Sequence, residues 1–316
     1  MSTKEIEHII ELALRAPSVT DRKPWKFRAV GNVIELYTAP ATIESQWLRN
    51  VSGGALLHYL RLIIRNYGRQ EVIQLFPRLD DPNLMAYIRM NGDYVPTVEE
   101  QHLYNIISGY KNPEECNAQW CKDRFNNSLR RVSTLTNAYL QHFNDLTAPE
   151  TTAKLNRYVE AQKQQNSNAL QKLAQEMKLN QHHCDAQVES ICEFNNLSAG
   201  EGTIYCGSEN IDPDSKSEYL LISTDVENSY SWLAAGEAMA RTHLLLRQCG
   251  YFGMAVMPII EDSGSRAWIA ESLDVQGWPQ IVMKLGKIKK SLDRPGINLN
   301  DYMLTARTSH NMGASA

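Results

Sequence analysis

The sequence predicts an α+β fold made of two pseudo-symmetric halves. Helical segments are many and strand-like segments are few, and they do not alternate in strict β-α-β order, which argues against a doubly wound sheet. An internal repeat is the second observation, because the apolar segment 53–68 has a counterpart at 235–250. Two related halves in one chain suggest a fused dimer. On the repeat alone, two stable copies packed without a shared site are the alternative.

Composition and charge narrow the class of protein. The 316 residues carry a net charge of −4, which argues against a nucleic-acid binder that works through bulk positive charge. With 43% hydrophobic residues the chain can bury a core, and six cysteines are too few for a disulfide scaffold. No apolar run is long enough to span a membrane, and the N-terminal segment lacks the apolar core of a signal peptide. We therefore expect a cytoplasmic protein without membrane association.

The first half opens with a helix and a hairpin. Apolar residues at helical spacing predict an amphipathic helix over 3–15, and Pro17 stops it because proline disfavours helix at the residue before it. Alternating residues on both sides of Gly31-Asn32 predict a β-hairpin over 25–38. This order places the segment around Pro17 in the connection between the helix and the hairpin.

The repeated unit follows the hairpin. In the first half, its apolar helix is predicted to begin at Gly54 and to end at Gly68. In the second half, glycines at the same spacing predict a helix from Gly236 to Gly250. Both helices are apolar on nearly all faces, so we expect them to be buried between the halves. Each leads into a strand ending in proline, and the triplets expected in a second helix are Ala86-Tyr87-Ile88 and Ala267-Trp268-Ile269.

Alternation and composition organise the rest of the chain. Alternating runs predict strands at 218–224 and 279–286. A stretch rich in Asn and Gln at about 114–200 predicts polar surface helices, which we interpret as an insert over the body of the protein. We assign residues 1–100 to the first half, and residues 101–316, including this insert, to the second half.

Motifs for metals and nucleotide phosphates give no sharp prediction. The run His182-His183-Cys184 lacks the closed four-ligand spacing of a zinc site, so we expect surface residues and no metal. The sequence has neither a GxGxxG segment nor a P-loop, so Rossmann-type and Walker-type phosphate binding have no support.

The connection before the hairpin carries the most informative motif. Residues 16–27 read A-P-S-V-T-D-R-K-P-W-K-F. This segment resembles the flavin-contacting segment of the nitroreductase family, roughly A-P-S-x-x-N-x-Q-P-W-x-F, with Asp21 in place of Asn and Lys23 in place of Gln. Runs that resemble the tandem, two-domain (Acg-type) branch of that family stand at 51–57, 232–244, 250–258 and 279–286. The resemblance covers about residues 5–110 and 215–300.

The resemblance implies a nitroreductase-like fold in which the halves correspond to the two subunits of a nitroreductase homodimer, with FMN at their interface. The segment 17–21 of the first half would contact the flavin ring, and a strand of the second half would pass near the flavin N5. Cations would hold the phosphate, since charged donors suit a dianion. The implied cofactor-binding residues are Pro17, Ser18, Val19, Asp21, Lys111, Met254, Ala255, Val256, Met257, Lys290 and Arg294.

The function that the resemblance implies is an FMN-binding oxidoreductase that passes hydride from NAD(P)H to a small acceptor such as a nitroaromatic or a quinone. The cofactor carries the chemistry, so no side chain is needed as a general acid, base or nucleophile. Two departures leave alternatives open. Only Lys111 is positive where the family has several arginines, and Asp21 is an acceptor-only anion. The alternatives are a flavin-sequestering protein without turnover and a nitroreductase-like protein that has lost the cofactor.

The two halves differ in this motif. The second half has no A-P-S-x-x-N segment, so we expect at most one cofactor site per chain.

The expected partners are NAD(P)H and a small-molecule substrate, not nucleic acid. The chain is expected to be a monomer that is itself a pseudo-dimer, or to form a further homodimer.

Overall fold

The computed structural model describes residues 1–19, 23–38, 45–109, 118–156, 218–248, 251–256, 260, 263–287 and 298–304. In these ranges, helices pack against two four-stranded antiparallel sheets, which confirms the α+β class. None of the helices in this part of the chain is long and apolar enough to cross a membrane.

A four-stranded sheet and a long helix form the first half. Its elements are α1 (Thr3–Ala13), β1 (Trp25–Val30), β2 (Val33–Thr38), α2 (Gln46–Asn66), β3 (Arg69–Leu75) and β4 (Leu84–Asp93). The strand order is β1-β2-β4-β3, and every neighbouring pair is antiparallel. The predicted hairpin is confirmed, since β1 and β2 pair around Gly31, whose φ of +57° suits a tight turn.

The second half repeats this design after a connecting helix, α3 (Val98–Ser108). Its elements are α4 (Ala118–Thr136), β5 (Tyr139–Asn144), β6 (Glu218–Thr224), α5 (Ser229–Gln248), β7 (Tyr251–Ala255), α6 (Ser263–Ser272) and β8 (Trp278–Lys287). The strand order β5-β6-β8-β7 corresponds strand for strand to β1-β2-β4-β3. The chain then returns to the first half, where Met303 bridges to Phe27 of β1.

The central helices begin earlier than predicted. Helix α2 begins at Gln46 and not at Gly54. Helix α5 begins at Ser229 and not at Gly236. The side chain of Ser45 caps the N-terminus of α2, as serine commonly does. The two glycines therefore lie inside the helices, where they allow close packing instead of starting a helix.

The rest of the predicted repeat has mixed outcomes. Gly68 follows the last turn of α2 with a φ of +72°, as predicted, and Gly250 lies outside the described residues. The predicted second helix is present only in the second half, where residues 267–269 lie in α6. Residues 86–88 lie instead in β4, which pairs with β2 and β3 on its two sides. A short apolar and aromatic run can form either a helix or a strand. Here the pairing with β2 and β3 makes it a strand.

The extra sequence of the second half lies between β5 and β6. The predicted insert, 114–200, includes α4 and β5, which instead belong to the helices and sheet of the second half. Residues 145–217 occupy the place of the two-residue turn Gly31-Asn32 in the first half, and those from 157 onward lie outside the described residues. The predicted boundary between residues 100 and 101 falls inside α3.

The larger of two apolar clusters spans both halves. It includes Leu56 and Ile63 from α2 together with Ala238 and Leu244 from α5, whereas the smaller cluster lies in the second half. Both sheets contribute strand residues to the larger cluster. As predicted, α2 and α5 are buried on nearly all faces, because each lies between a sheet and the other helix.

Candidate functional site between the two halves

The two central helices meet at a pair of glycines. A Cβ atom on Gly54 would lie 2.0 Å from the carbonyl oxygen of Leu233. A Cβ atom on Gly236 would lie 1.8 Å from the carbonyl oxygen of Val51. Each glycine therefore meets the residue three positions before the other glycine, which is the reciprocal contact that a pseudo-two-fold relation produces. We call the contact between α2 and α5 the seam.

Contacts along the seam show that the helices run in the same direction. The side-chain amide of Gln46 donates to the hydroxyl of Ser229 at 3.4 Å, near the two N-termini. Farther along, the Tyr59 hydroxyl and Nδ1 of His243 are 3.3 Å apart. The first turns of α2 and α5 therefore lie at the same end of the seam.

The corner formed by Pro17, Ser18 and Val19 is attached to α2 near this end. All three residues are buried. The backbone N–H of Val19 donates to Oγ of Ser52 at 3.0 Å, and Ser52 is itself fully buried. Since Ser52 stands two residues before Gly54, the corner lies beside the closest approach of the two helices.

The strand pair β7–β8 of the second half is attached to the same two turns of α2 through Gln280 of β8. Nε1 of Trp47 donates to Oε1 of the buried Gln280 at 2.9 Å. Nε2 of Gln280 in turn donates to Oγ1 of Thr224 at 3.0 Å. Gln280 is part of β8, where the carbonyl of Val282 accepts a hydrogen bond from the backbone of Val256, just after β7.

The predicted cofactor residues that the structure describes come from both halves. Pro17, Ser18 and Val19 form the corner, Met254 and Ala255 lie in β7, and Val256 follows β7. The corner and the strand pair that contains β7 are held by one stretch of α2, between Trp47 and Ser52. Predicted residues outside the described ranges are Asp21, Lys111, Met257, Lys290 and Arg294.

Only the first half has such a corner among the described elements. Residues 14–24 connect α1 to β1 in the first half. At the corresponding place in the second half, only Asn137 and Ala138 connect α4 to β5. A two-residue connection has no room for a loop of this kind, so the pseudo-symmetry of the two halves breaks at this point.

Lys23, at the base of the corner, is hydrogen-bonded to the end of α1. Its Nζ donates to the carbonyl oxygen of Leu14, one of the carbonyls that a helix C-terminus leaves without an intrahelical partner. Burial and, to a lesser extent, the charge of Arg15 lower the pKa of Lys23 to about 8. The base of the corner therefore carries a cation whose charge is disfavoured by its surroundings.

A cluster of charged side chains crosses the seam farther along. Oε1 of Glu237 lies 2.6 Å from Arg61 and 3.3 Å from Arg241, and 3.7 Å from Nδ1 of His58. Burial favours a higher pKa for Glu237, but His58 and the two arginines outweigh it and lower that pKa to about 2. Burial lowers the pKa of His58 to about 4, so the ring is neutral at pH 7. This cluster was not predicted from the sequence, although charged residues on two otherwise apolar helices could have indicated it.

The described residues offer no metal centre. Within the described ranges, no three His, Cys, Asp or Glu side chains are grouped so as to hold a metal ion. The run His182-His183-Cys184 lies outside those ranges.

Comparisons with known proteins give sequence relatives but no activity. No family model matches the sequence. The uncharacterized proteins MT3212 and Rv3127 of Mycobacterium tuberculosis, from strains CDC 1551 / Oshkosh and ATCC 25618 / H37Rv, are each 28% identical to it over 128 residues. The match covers 38% of this chain and 34% of each relative, so the chain spans about a third of the length of the curated relatives it matches.

Proposed function

We propose that this protein is an FMN-binding oxidoreductase of the nitroreductase type, which passes hydride from NAD(P)H to a small acceptor such as a nitroaromatic or a quinone. The observation that carries the proposal is the attachment of the first-half corner and a second-half strand pair to the same two turns of α2, at Ser52 and Trp47. The matching strand order of the two sheets supports it, since a site of this type lies between two related units.

We propose that apolar residues of the corner and the strand pair contact the flavin ring. Val19, Ala255 and Val256 are buried apolar residues of these two segments, and apolar side chains suit a planar aromatic ring. Two residues on the seam, Asn50 and Trp232, carry buried N–H groups that have no partner in the described part of the chain. Lys111, Lys290 and Arg294 are proposed to hold the phosphate, because charged donors form the strongest hydrogen bonds with a dianion.

The chain contributes binding and orientation. Bound FMN would supply the hydride chemistry, as cofactors do in enzymes of this kind. The hydrogen bond from Val19 to Ser52 fixes the backbone of the corner. The bridge from Trp47 through Gln280 fixes the first turn of α2 against β8. We assign no side chain a role as general acid or base. Among the described elements only the first half has a corner, which supports one site per chain.

Anaerobic reduction tests this function and separates its alternatives. Protein loaded with FMN should lose its flavin absorbance when NADH or NADPH is added, and should regain it with a nitroaromatic or a quinone. Free FMN at the same concentration is the control for uncatalysed reduction. Binding of FMN without reduction by either nucleotide would favour a flavin-sequestering protein. Failure to take up FMN at all would favour a protein that has lost the cofactor.

A further inference from the structure

Asn50 and Trp232, on the seam, each carry a buried nitrogen donor that has no hydrogen-bond partner among the described residues. Asn50 is 4% exposed, and its Nδ2 donates to no atom in the part of the chain that the structure describes. Nε1 of Trp232 is also buried, and within those same ranges it donates to nothing. The offset that relates Gly54 to Gly236 also relates Asn50 to Trp232, so the two donors occupy equivalent positions in the two halves.

Helical periodicity places both donors on the seam. Asn50 precedes Gly54 by four residues, and Trp232 precedes Gly236 by four. Residues four apart lie on the same face of a helix, one turn from each other. Because each glycine faces the backbone of the other helix, Asn50 and Trp232 lie one turn before the closest approach. This is the end of the seam to which the corner and the strand pair are attached.

A third residue shows what a structural amide does on the same helix. Nδ2 of Asn66 donates to the carbonyl of Leu62 at 2.8 Å and to the carbonyl of Glu100 at 3.2 Å. Buried polar groups in folded proteins are nearly always paired in this way, and an unpaired one destabilises the fold. Among the described buried side chains that lack a partner, Asn50 and Trp232 occupy equivalent positions one turn before the two glycines, so both donors are free to bind a ligand at that end of the seam.

We infer that Asn50 and Trp232 donate hydrogen bonds to the ring of the bound flavin, at its carbonyl oxygens or unprotonated nitrogens. The inference rests on the proposed function, which supplies the identity of the ligand. Both donors are neutral, so they suit the uncharged acceptors of the ring better than the phosphate, for which charged donors are stronger partners.

Three variants test the inference by binding and by stability. Asn50→Leu and Trp232→Phe each remove one unpaired donor, and Asn66→Leu is the matched control because its amide is already paired. Each donor lost to the ring should raise the Kd for FMN about tenfold, the equivalent of one ordinary hydrogen bond. The Kd for riboflavin, which lacks the phosphate, should rise by the same factor. Without flavin, Asn50→Leu should melt at or above the wild-type temperature, and Asn66→Leu about 2–4 °C below it.

The outcomes separate this inference from the function on which it rests. Unchanged FMN affinity in both Asn50→Leu and Trp232→Phe, with normal binding by the wild type, overturns the inference alone. A loss with FMN that is absent with riboflavin overturns the assignment of the donors to the ring. Absence of flavin binding by the wild-type chain overturns the proposed function, and the inference with it.

Discussion

Gly54 lies so close to the carbonyl oxygen of Leu233 that a methyl group has no room between them, and Gly236 stands in the same relation to Val51. The two contacts are reciprocal, as in a dimer whose two subunits have been joined in one chain. They bring the first turns of α2 and α5 to one end of the seam, where the proposed site lies. The packing of the two halves therefore depends on two residues that have no side chain.

Alanine at either glycine should destabilise the protein severely. In Gly54→Ala and Gly236→Ala the new Cβ would meet backbone, which can yield only if the helices move apart. We expect a loss of about 3 kcal/mol or more in the free energy of unfolding, measured by urea denaturation. Gly53→Ala is the matched control, because its Cβ would meet the flexible end of Met85 and it should change stability by no more than about 1 kcal/mol. Equal losses at positions 53 and 54 would contradict this description of the seam.

The bridge between Trp47 and Gln280 should appear as a coupling energy. Gln280→Leu removes the acceptor of Trp47 and the donor to Thr224, and we expect it to destabilise the fold by about 2 kcal/mol. Trp47→Phe should cost about 1 kcal/mol. A double-mutant cycle should then show a coupling of about 1 kcal/mol between the two positions. Strict additivity would mean that the bridge does not hold the halves together.

Deprotonation of Lys23 should make the protein more stable as the pH rises. Its pKa is about 8 in the folded chain and 10.5 as a reference, so the unfolded chain binds more protons between these values. Stability should therefore increase from pH 8 to pH 10.5, by about 2 kcal/mol. Lys23→Gln removes the titrating amine, so it should abolish this increase and stabilise the protein at pH 7. An unchanged slope in the variant would show that Lys23 is not its source.

Ser52 should matter more for cofactor binding than for folding. Ser52→Ala removes the acceptor that fixes Val19, so the FMN affinity should fall several-fold while the fold loses about 1 kcal/mol. Ser133→Ala is the control, since the Ser133 hydroxyl donates to the carbonyl of Ala138 at the helix–strand connection of the other half. The control should lose similar stability and keep its FMN affinity. If Ser52→Ala binds FMN as tightly as Ser133→Ala and the wild type do, the corner is not part of the site.

The elements predicted correctly are those with a strong local signal. The hairpin around Gly31 has alternating arms and a turn that demands glycine, and it forms as expected. Strand β5 was missed because Tyr139–Asn144 is mostly polar and pairs with only one neighbour, at the edge of its sheet. The predicted starts of α2 and α5 lie too late in the sequence, because glycine is typical of a helix boundary, whereas tertiary packing requires Gly54 and Gly236 inside the helices.

The proposed site also has parts that the sequence predicts and parts that only the fold shows. The corner at 17–19 was visible in the sequence because a local motif carries it. Its anchor, Ser52, lies 33 positions away, and only the fold shows that the two meet. The unpaired donors of Asn50 and Trp232 had no sequence signal either, because being unpaired is a property of the surroundings of a side chain.

Titration of the purified chain with FMN, followed by flavin absorbance and fluorescence, measures whether the protein binds a flavin and at how many sites. We predict saturable binding of one FMN per chain, since only one half carries a corner among the described elements. Two equivalent sites per chain would contradict the asymmetry argued for the two halves. No binding at any flavin concentration would contradict the proposed function itself.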